Sequence, residues 1–268
     1  MGTLDGRVAL VTGAGRLRGI GRATAVALAE IGADVVVTGT GRDPSTFPQD
    51  EKQVGWRDVE STAEQIRAHG RRALTWVGDI SRAEEVQRLV DRIMQAFGRL
   101  DILVNNAAYP RGNDRVPVPE LDEAIWRKVL EIKLTGAFLL CKCIVPIMMQ
   151  QRWGRIINLS SVAGKRGVPN TAAYCTANFG IQGFTQALAM EVARHGITVN
   201  AVCPGTIDTA RMDVLGRGET WQRQVESIPM GRAASDEEVA GLIAFLCSPA
   251  AAYMTGQSLN IDGGVAMW

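Results

Sequence analysis

The residues with the clearest chemistry are Thr12-Gly13-Ala14-Gly15-Arg16-Leu17-Arg18-Gly19-Ile20-Gly21. A short apolar run, Arg7 to Thr12, precedes them, and a helical pattern from Gly19 to Ile31 follows. Strand, glycine turn and helix in that order let the backbone approach a pyrophosphate. The helix N-terminus then offers free N–H groups and the positive end of its dipole. The spacing departs from a strict GxGxxG pattern, so the context carries the reading. A tight turn without a ligand is the plainer alternative. Arg16 and Arg18 add positive charge to the turn. After the second strand, where a carboxylate would hold ribose hydroxyls, the chain has Thr38-Gly39-Thr40-Gly41-Arg42. The missing carboxylate and the nearby arginines favour a 2′-phosphate, hence NADP(H) over NAD(H), with NAD(H) left open. Arginines that are simply solvated would remove that preference.

Other reactive side chains are sparse. His69 and His195 are the only histidines, and both fall near helix ends followed by glycine, where an imidazole meets the last carbonyls. They are too far apart in sequence to suggest a metal site, and no metal is expected. The five cysteines, at 141, 143, 175, 203 and 247, form no CxxC pair and read as buried thiols in a reducing compartment.

The elements that must position the glycine turn alternate along the chain. Strand-like runs lie at Arg7–Thr12, Asp34–Thr38, Leu74–Val77, Ile102–Asn105, Arg155–Leu159, Ile197–Val202 and Ser258–Ile261. Helical patterns fall between them at 57–69, 82–97, 120–151, 172–194 and 235–247. Such alternation predicts a parallel sheet of about seven strands with helices on both faces, a single doubly wound α/β domain over residues 1–268. Residues 42–57, rich in proline and polar groups, read as a long inserted loop, and 206–230 as a mobile flap.

The order and spacing of these motifs resemble the short-chain dehydrogenase/reductase family across essentially the whole chain. The family's glycine turn is TGxxxGxG; here two extra residues separate Gly13 from Gly19. Asp79-Ile80 resembles the pair that contacts adenine, and Asn105-Asn106-Ala107-Ala108 is similar to the NNAG segment. Ile156 to Gly164 resembles the catalytic serine strand, Pro204-Gly205-Thr206-Ile207-Asp208-Thr209 the segment around the nicotinamide carboxamide, and Asp262-Gly263-Gly264 the usual ending. Cofactor contacts are therefore expected from Gly13, Arg16, Arg18, Gly19, Ile20, Gly21, Arg42, Asp79, Ile80, Asn105, Ala107, Tyr174, Asn178, Pro204, Ile207 and Thr209. Tyr174 follows Ser161 by 13 residues, the family's separation. The resemblance implies that Ser161 hydrogen-bonds the substrate oxygen and that Tyr174 exchanges its proton, while hydride passes between nicotinamide and a carbonyl carbon.

Two expected side chains are exchanged. Four residues after the tyrosine, on the same helical face, the family has lysine and this chain has Asn178. In the preceding long helix the family's VNLTG has asparagine where Glu131-Ile132-Lys133-Leu134-Thr135-Gly136 has Lys133. A free tyrosine, with a pKa near ~10, is a poor acid–base group at neutral pH. A cation about 4 Å away, at an effective dielectric of about 20, supplies roughly 4 kcal/mol, equivalent to about three pH units of pKa. Three readings stand. Lys133 reaches back to supply that cation; or it points to solvent and the redox chemistry is slow or specialised; or the fold serves non-redox catalysis (lyase or isomerase) or ligand sensing.

The whole-chain balance narrows the partners. The 268 residues are 46% hydrophobic and 21% charged with a formal net charge of +1, which suggests neither a nucleic-acid nor a membrane surface. The N-terminus lacks the flanks of a signal peptide, and no apolar stretch approaches the roughly 20 residues of a membrane span. A cytoplasmic protein acting on a small carbonyl or alcohol is expected. Pocket walls fall to 110–118 and 206–225, with Met212 and Trp221 in the covering flap. By resemblance, the helices at 120–151 and 172–194 form a four-helix dimer interface, and Val265-Ala266-Met267-Trp268 packs on a neighbour, giving a homotetramer or a dimer.

Overall fold

The seven apolar runs become seven strands of one parallel sheet in a computed structural model that describes residues 2–267. They are β1 (Val8–Val11), β2 (Asp34–Gly39), β3 (Ala73–Val77), β4 (Ile102–Asn105), β5 (Gly154–Leu159), β6 (Ile197–Pro204) and β7 (Ser258–Ile261). The spatial order is β3-β2-β1-β4-β5-β6-β7, and every pairing is parallel. Strands β1, β4, β5 and β6 are buried along their whole length, as continuous apolar runs covered on both faces must be. The order reverses between β1 and β4, and a crevice opens beyond their carboxyl ends at such a switch point.

Nine α-helices occur among the described residues: α1 (Ile20–Glu30), α2 (Gln49–Gln53), α3 (Val59–Ala68), α4 (Ala83–Phe97), α5 (Glu123–Leu130), α6 (Gly136–Gln151), α7 (Ala172–Val192), α8 (Glu219–Glu226) and α9 (Asp236–Cys247). Helices α1, α3 and α9 cover one face around Leu28, Ile66 and Ile243; α4, α6 and α7 cover the other around Ile93, Ile144 and Val192. Helix α9 starts with a full capping box, Ser235 with Glu238, which fixes its entry beside the glycine turn.

Three expectations change. The inserted segment 42–57 is not a plain loop: it holds a 3₁₀ turn, Pro44–Thr46, and α2. The expected helix at 120–151 is α5 and α6 joined by a π-helical turn, Glu131–Thr135. The wider turn re-phases the helix face at Lys133, and π-turns recur at functional positions for that reason. The continuous helical run Glu123–Gln151 is also long and apolar enough to cross a bilayer by length and composition, contrary to the expectation of no such stretch. Its residues Leu140, Ile144 and Met148 are fully buried against the sheet, so core packing accounts for that apolarity.

At the opposite end of the sheet from the crevice, Asp101 is fully buried and ties β1 to β4. Its carboxylate accepts from the Val8 N–H (2.9 Å), Arg7 Nη1 (2.9 Å) and Arg99 Nε and Nη2 (2.8 and 2.7 Å). Asp101→Ala is expected to lower unfolding stability by about 3 kcal/mol in urea titrations, because a buried N–H and two guanidiniums lose their acceptor. Catalytic constants of the folded variant should stay within twofold, the site being at the other end of the strands.

Candidate active site

The glycine turn runs from the end of β1 to α1, at the switch point. Thr12 Oγ1 accepts from the N–H groups of Asn106 (3.0 Å) and Ala107 (3.1 Å), and Asn106 Nδ2 donates to the carbonyls of Thr12 (2.8 Å) and Gly13 (3.0 Å). These bonds weld the turn to the end of β4. Gly21 stands so close that an added Cβ would lie 2.5 Å from both the Gly13 carbonyl oxygen and Asn106 Nδ2; any side chain there would push the turn open. Gly13 has φ +67°, a conformation suited to glycine. Helix α1 begins after Gly19 with no side-chain cap and no acidic residue in its own first turn, so a pyrophosphate would meet its positive end beside the Asp236 carboxylate. Asp236, the first residue of α9, accepts the Gly19 N–H at 2.7 Å and braces the turn from outside. The residues present therefore fit a dinucleotide pyrophosphate.

The arginines are distributed differently from a simple phosphate cradle. Arg42 folds back onto the turn, donating to the Gly15 carbonyl (2.8 Å), and is held by Glu51 (2.8 Å) and Asp58 (3.1 Å). The inserted segment closes on the same place: Trp56 Nε1 donates to the Gly15 carbonyl at 2.7 Å, and Glu51 accepts the Leu17 N–H at 2.9 Å. Arg18 is bound to Asp50, Asp213 and, at 3.5 Å, Asp208, so it links the insert to the flap instead of facing an open turn. Burial, with Arg42 close by, lowers the pKa of Arg16 from its usual value. The carboxylates of Glu51 and Asp58 are not legible as partners, because they lie 9 and 16 residues beyond Arg42 in a segment without a hydrophobic period.

At the other end of the crevice the exchanged pair meets. Lys133, on the π-turn, is only 8% exposed and lines a small recess with Ala108, Tyr109, Val129, Tyr174, Ala177 and Asn178. That burial goes against the solvent-facing reading of Lys133. Its ammonium makes no hydrogen bond or ion pair among the described residues. Burial, helped by the Arg211 charge, pulls its pKa down to about 7. Asn178 is 1% exposed; its Nδ2 donates to the Tyr174 carbonyl (2.8 Å), and its Oδ1 is buried without a partner. An orphaned buried acceptor in a recess is a place for a ligand hydroxyl. Ser161 is buried at the end of β5, its Oγ accepting from Ala163 N–H at 3.2 Å. Its 3₁₀ turn, Val162–Gly164, lies tight against α7: a Cβ on Gly164 would come 2.5 Å from the Asn178 carbonyl oxygen.

The remaining expected contacts are spread along the same edge. Asn105 is buried, its Nδ2 donating to Asn158 Oδ1 (2.8 Å), and Asn158 Nδ2 donates to Thr185 Oγ1 (2.9 Å); this polar chain ties β4, β5 and α7 together. Asp79 accepts from Ser81 (2.6 Å) and Lys128 (3.1 Å), and Ile80 packs beneath Gly136. Pro204 ends β6, Ile207 bridges Ala234, and Thr209 is buried where the flap begins. The flap itself is a 3₁₀ turn, Ala210–Leu215, followed by α8, and the Ala210 N–H reaches the Arg18 carbonyl (3.1 Å). Met212 is buried there, while Trp221 stacks on Arg217 (4.3 Å). His69 faces Glu30 at 3.7 Å rather than helix carbonyls.

Sequence reasoning missed what stands over Tyr174. The Arg115 guanidinium lies 3.9 Å from its ring centroid and that of Arg211 5.5 Å. The sequence assigns both segments only to pocket walls. The bare presence of arginine there was the signal, since charged residues in a wall that faces apolar helices need a partner.

Comparison with known proteins places this geometry. A family profile described as enoyl-(acyl carrier protein) reductase matches residues 13–266. A 3-oxoacyl-(acyl-carrier-protein) reductase of Synechocystis sp. is 40% identical over 269 aligned positions, covering 100% of both chains. Another from Aquifex aeolicus is 40% identical and covers 98% of both. Among solved structures, a chain assigned as a short-chain alcohol dehydrogenase of Sinorhizobium meliloti superposes with a TM-score of 0.86 at 38% identity, covering 98% of this chain and 97% of that one. A short-chain dehydrogenase/reductase assigned in Burkholderia xenovorans gives 0.87 at 34% identity, covering 99% and 98%. The matched span, residues 13–266, runs from the glycine turn through the Tyr174 helix and the flap. The chain belongs to the short-chain dehydrogenase/reductase family, and its reaction is the interconversion of a carbonyl and an alcohol.

Proposed function

We propose that this protein reduces a ketone or aldehyde with NADPH, with Tyr174 donating the proton, Ser161 holding the substrate oxygen and Lys133 supplying the cation that the family places four residues after the tyrosine. The observation that carries the reading is the burial of Lys133 in one recess with Tyr174 and Asn178. A bound nicotinamide supplies the hydride. Gly13, Gly19 and Gly21 would hold its pyrophosphate at the first turn of α1, and Arg16 is the arginine of the turn left for a 2′-phosphate, since Arg42 is held by Glu51 and Asp58. Asn178 Oδ1 accepts a ribose hydroxyl, which satisfies its orphaned acceptor. Proton transfer from the Tyr174 hydroxyl neutralises the developing alkoxide, and an ammonium at Lys133 stabilises the tyrosinate left behind. The non-redox reading has no separate observation in its favour.

The chain acts as one domain over 1–268, with the 42–57 insert as a clasp on the cofactor's adenosine side and 206–230 as the substrate flap. Phe138 on α6 and Phe179 and Met190 on α7 are 48%, 47% and 85% exposed, an apolar face that supports pairing of these helices in a homotetramer. Met267 is exposed as well, and Trp268 lies outside the described residues. The unpaired cysteines, Cys141, Cys143, Cys175, Cys203 and Cys247, support a cytoplasmic setting.

The test follows NADPH absorbance with a panel of ketones and aldehydes, beginning with S-acetoacetyl-N-acetylcysteamine, a neutral thioester like the 3-oxoacyl groups in the relatives' names. The protein is compared with the double variant Lys133→Asn/Asn178→Lys. Turnover in the unaltered protein, retained within tenfold in the double variant, is the expected result. Silence in the unaltered protein with turnover in the double variant would show redox chemistry switched off by the exchange.

A further inference from the structure

We propose that the carbonyl substrate carries an anionic head group, and that Arg211, with Arg115 and Arg111, is the device that selects it. This deepens the reductase reading of the same crevice. Two guanidiniums converge on Tyr174, and a third stands close by. Those of Arg115 and Arg211 stand over its ring, and Arg111 Nη1 reaches Met212 Sδ at 3.6 Å, beside Arg211 in the flap. One carboxylate answers them: buried Asp114, whose Oδ1 takes the Gly112 N–H at 3.0 Å and whose Oδ2 lies 3.2 Å from Arg115 Nε. Lys133 and Arg16 add further positive charge near Arg211.

Two other half-buried arginines at the crevice are matched by carboxylates. Arg42 has Glu51 and Asp58, and Arg18 has Asp50, Asp208 and Asp213. Arg211 is not. Its Nη1 donates to the Tyr109 carbonyl, while its Nη2 is sealed from solvent with no partner. Burial, together with the Arg115 charge, pushes its pKa below the usual arginine value, and Arg111 is lowered in the same way by burial, Arg115 and Arg211. An excess of cation beside an apolar recess is costly unless a ligand brings the opposite charge. The planar fork of a guanidinium suits a carboxylate or phosphate held by two bonds. An anion there lies against the ring of Tyr174, so the reacting carbonyl must sit within a few bonds of it. The substrate class is a short oxo acid, or a phosphorylated ketone of the same length; in the reverse direction, the matching hydroxy compound.

The test measures binding by calorimetry to the NADP⁺-loaded enzyme, and NADPH-dependent turnover, for matched pairs. The probes are 2-oxobutanoate and 4-oxopentanoate with their methyl esters, and dihydroxyacetone phosphate with dihydroxyacetone. At least one anionic member should bind tenfold or more tightly than its neutral partner. Arg211→Ala should abolish that preference, with Arg211→Lys keeping part of it, while the Kd for NADPH changes less than threefold. Preference within the carboxylate or within the phosphate pair tells the two head groups apart. Equal binding of every pair overturns the proposal. So does an Arg211→Ala variant that loses NADPH as strongly as the anion, since the charge would then serve the cofactor's own phosphates. Anion preference in binding without Tyr174-dependent turnover keeps the anion site and removes the reductase reading; turnover of neutral ketones with no preference does the reverse.

Discussion

Lys133→Met is expected to make the cofactor-free protein more stable near neutral pH and nearly inactive. The lysine's pKa falls from 10.5 to about 7 on folding because its ammonium is buried beside Arg211. Between pH 7 and 10.5 the unfolded chain therefore binds a proton that the folded chain does not, and stability of the unaltered protein rises with pH across that window. The steepest slope from this one group is about 1.4 kcal/mol per pH unit. Below pH 7 both states are protonated, and the folded state carries the whole burial cost, on the order of 5 kcal/mol. Methionine fills a similar volume without that cost, so the variant should gain about 2 kcal/mol or more near pH 6, a rise of roughly 4–8 °C in Tm. The gain should fade as pH approaches 10.5. Differential scanning calorimetry across pH 6–10 decides this; a difference that stays flat with pH would mean that the ammonium pays no burial cost.

The same substitution should lower kcat for carbonyl reduction about 100-fold or more, since the cation is estimated at several kcal/mol. A loss under tenfold would remove the electrostatic role of Lys133. The pH profile supplies a second reading. Lys133 is charged below about 7 and neutral above, so kcat/KM of the unaltered protein should fall as pH rises through that value. The variant should lack that inflection. Function thus holds a charged group where folding alone would favour an apolar one.

Tyr174→Phe is the second large effect: a fall in kcat of about 10³-fold, within the range for losing a positioned acid. The ring stays, and with it the Arg115 contact at 3.9 Å, so unfolding stability should move by less than about 1 kcal/mol. Fluorescence titration should show NADPH binding within threefold of the unaltered protein. Residual turnover within tenfold would place the proton donor elsewhere.

Much of this molecule is written locally. Seven apolar runs, the central ones fully buried like Val8-Ala9-Leu10-Val11, have one stable environment, a sheet covered on both sides, and alternation with helices makes that sheet parallel. The glycine turn was legible for the same reason: strand, turn and helix are contiguous, and Gly13 and Gly21 answer steric demands set by neighbours close in sequence or by the next strand. The Tyr174–Asn178 step of one helical turn is local too, and the Asn178 side chain does close on the Tyr174 carbonyl.

Charge is where the sequence ran short. Arg16, Arg18 and Arg42 read as three candidates for a phosphate, yet Arg18 binds carboxylates of the insert and the flap, and Arg42 those of Glu51 and Asp58. Which acid meets which base depends on how irregular segments fold back, and no periodicity records that. The sequence by itself determined the sheet, the phosphate turn and the residue types of the exchanged pair, because these rest on contacts within a few residues or on hydrophobic period. Only the tertiary structure decided that Lys133 is buried with Tyr174 and that Arg115 and Arg211 crowd the same ring. Desolvation and long-range charge pairing depend on three-dimensional neighbours, and those neighbours come from chain segments up to about a hundred residues away.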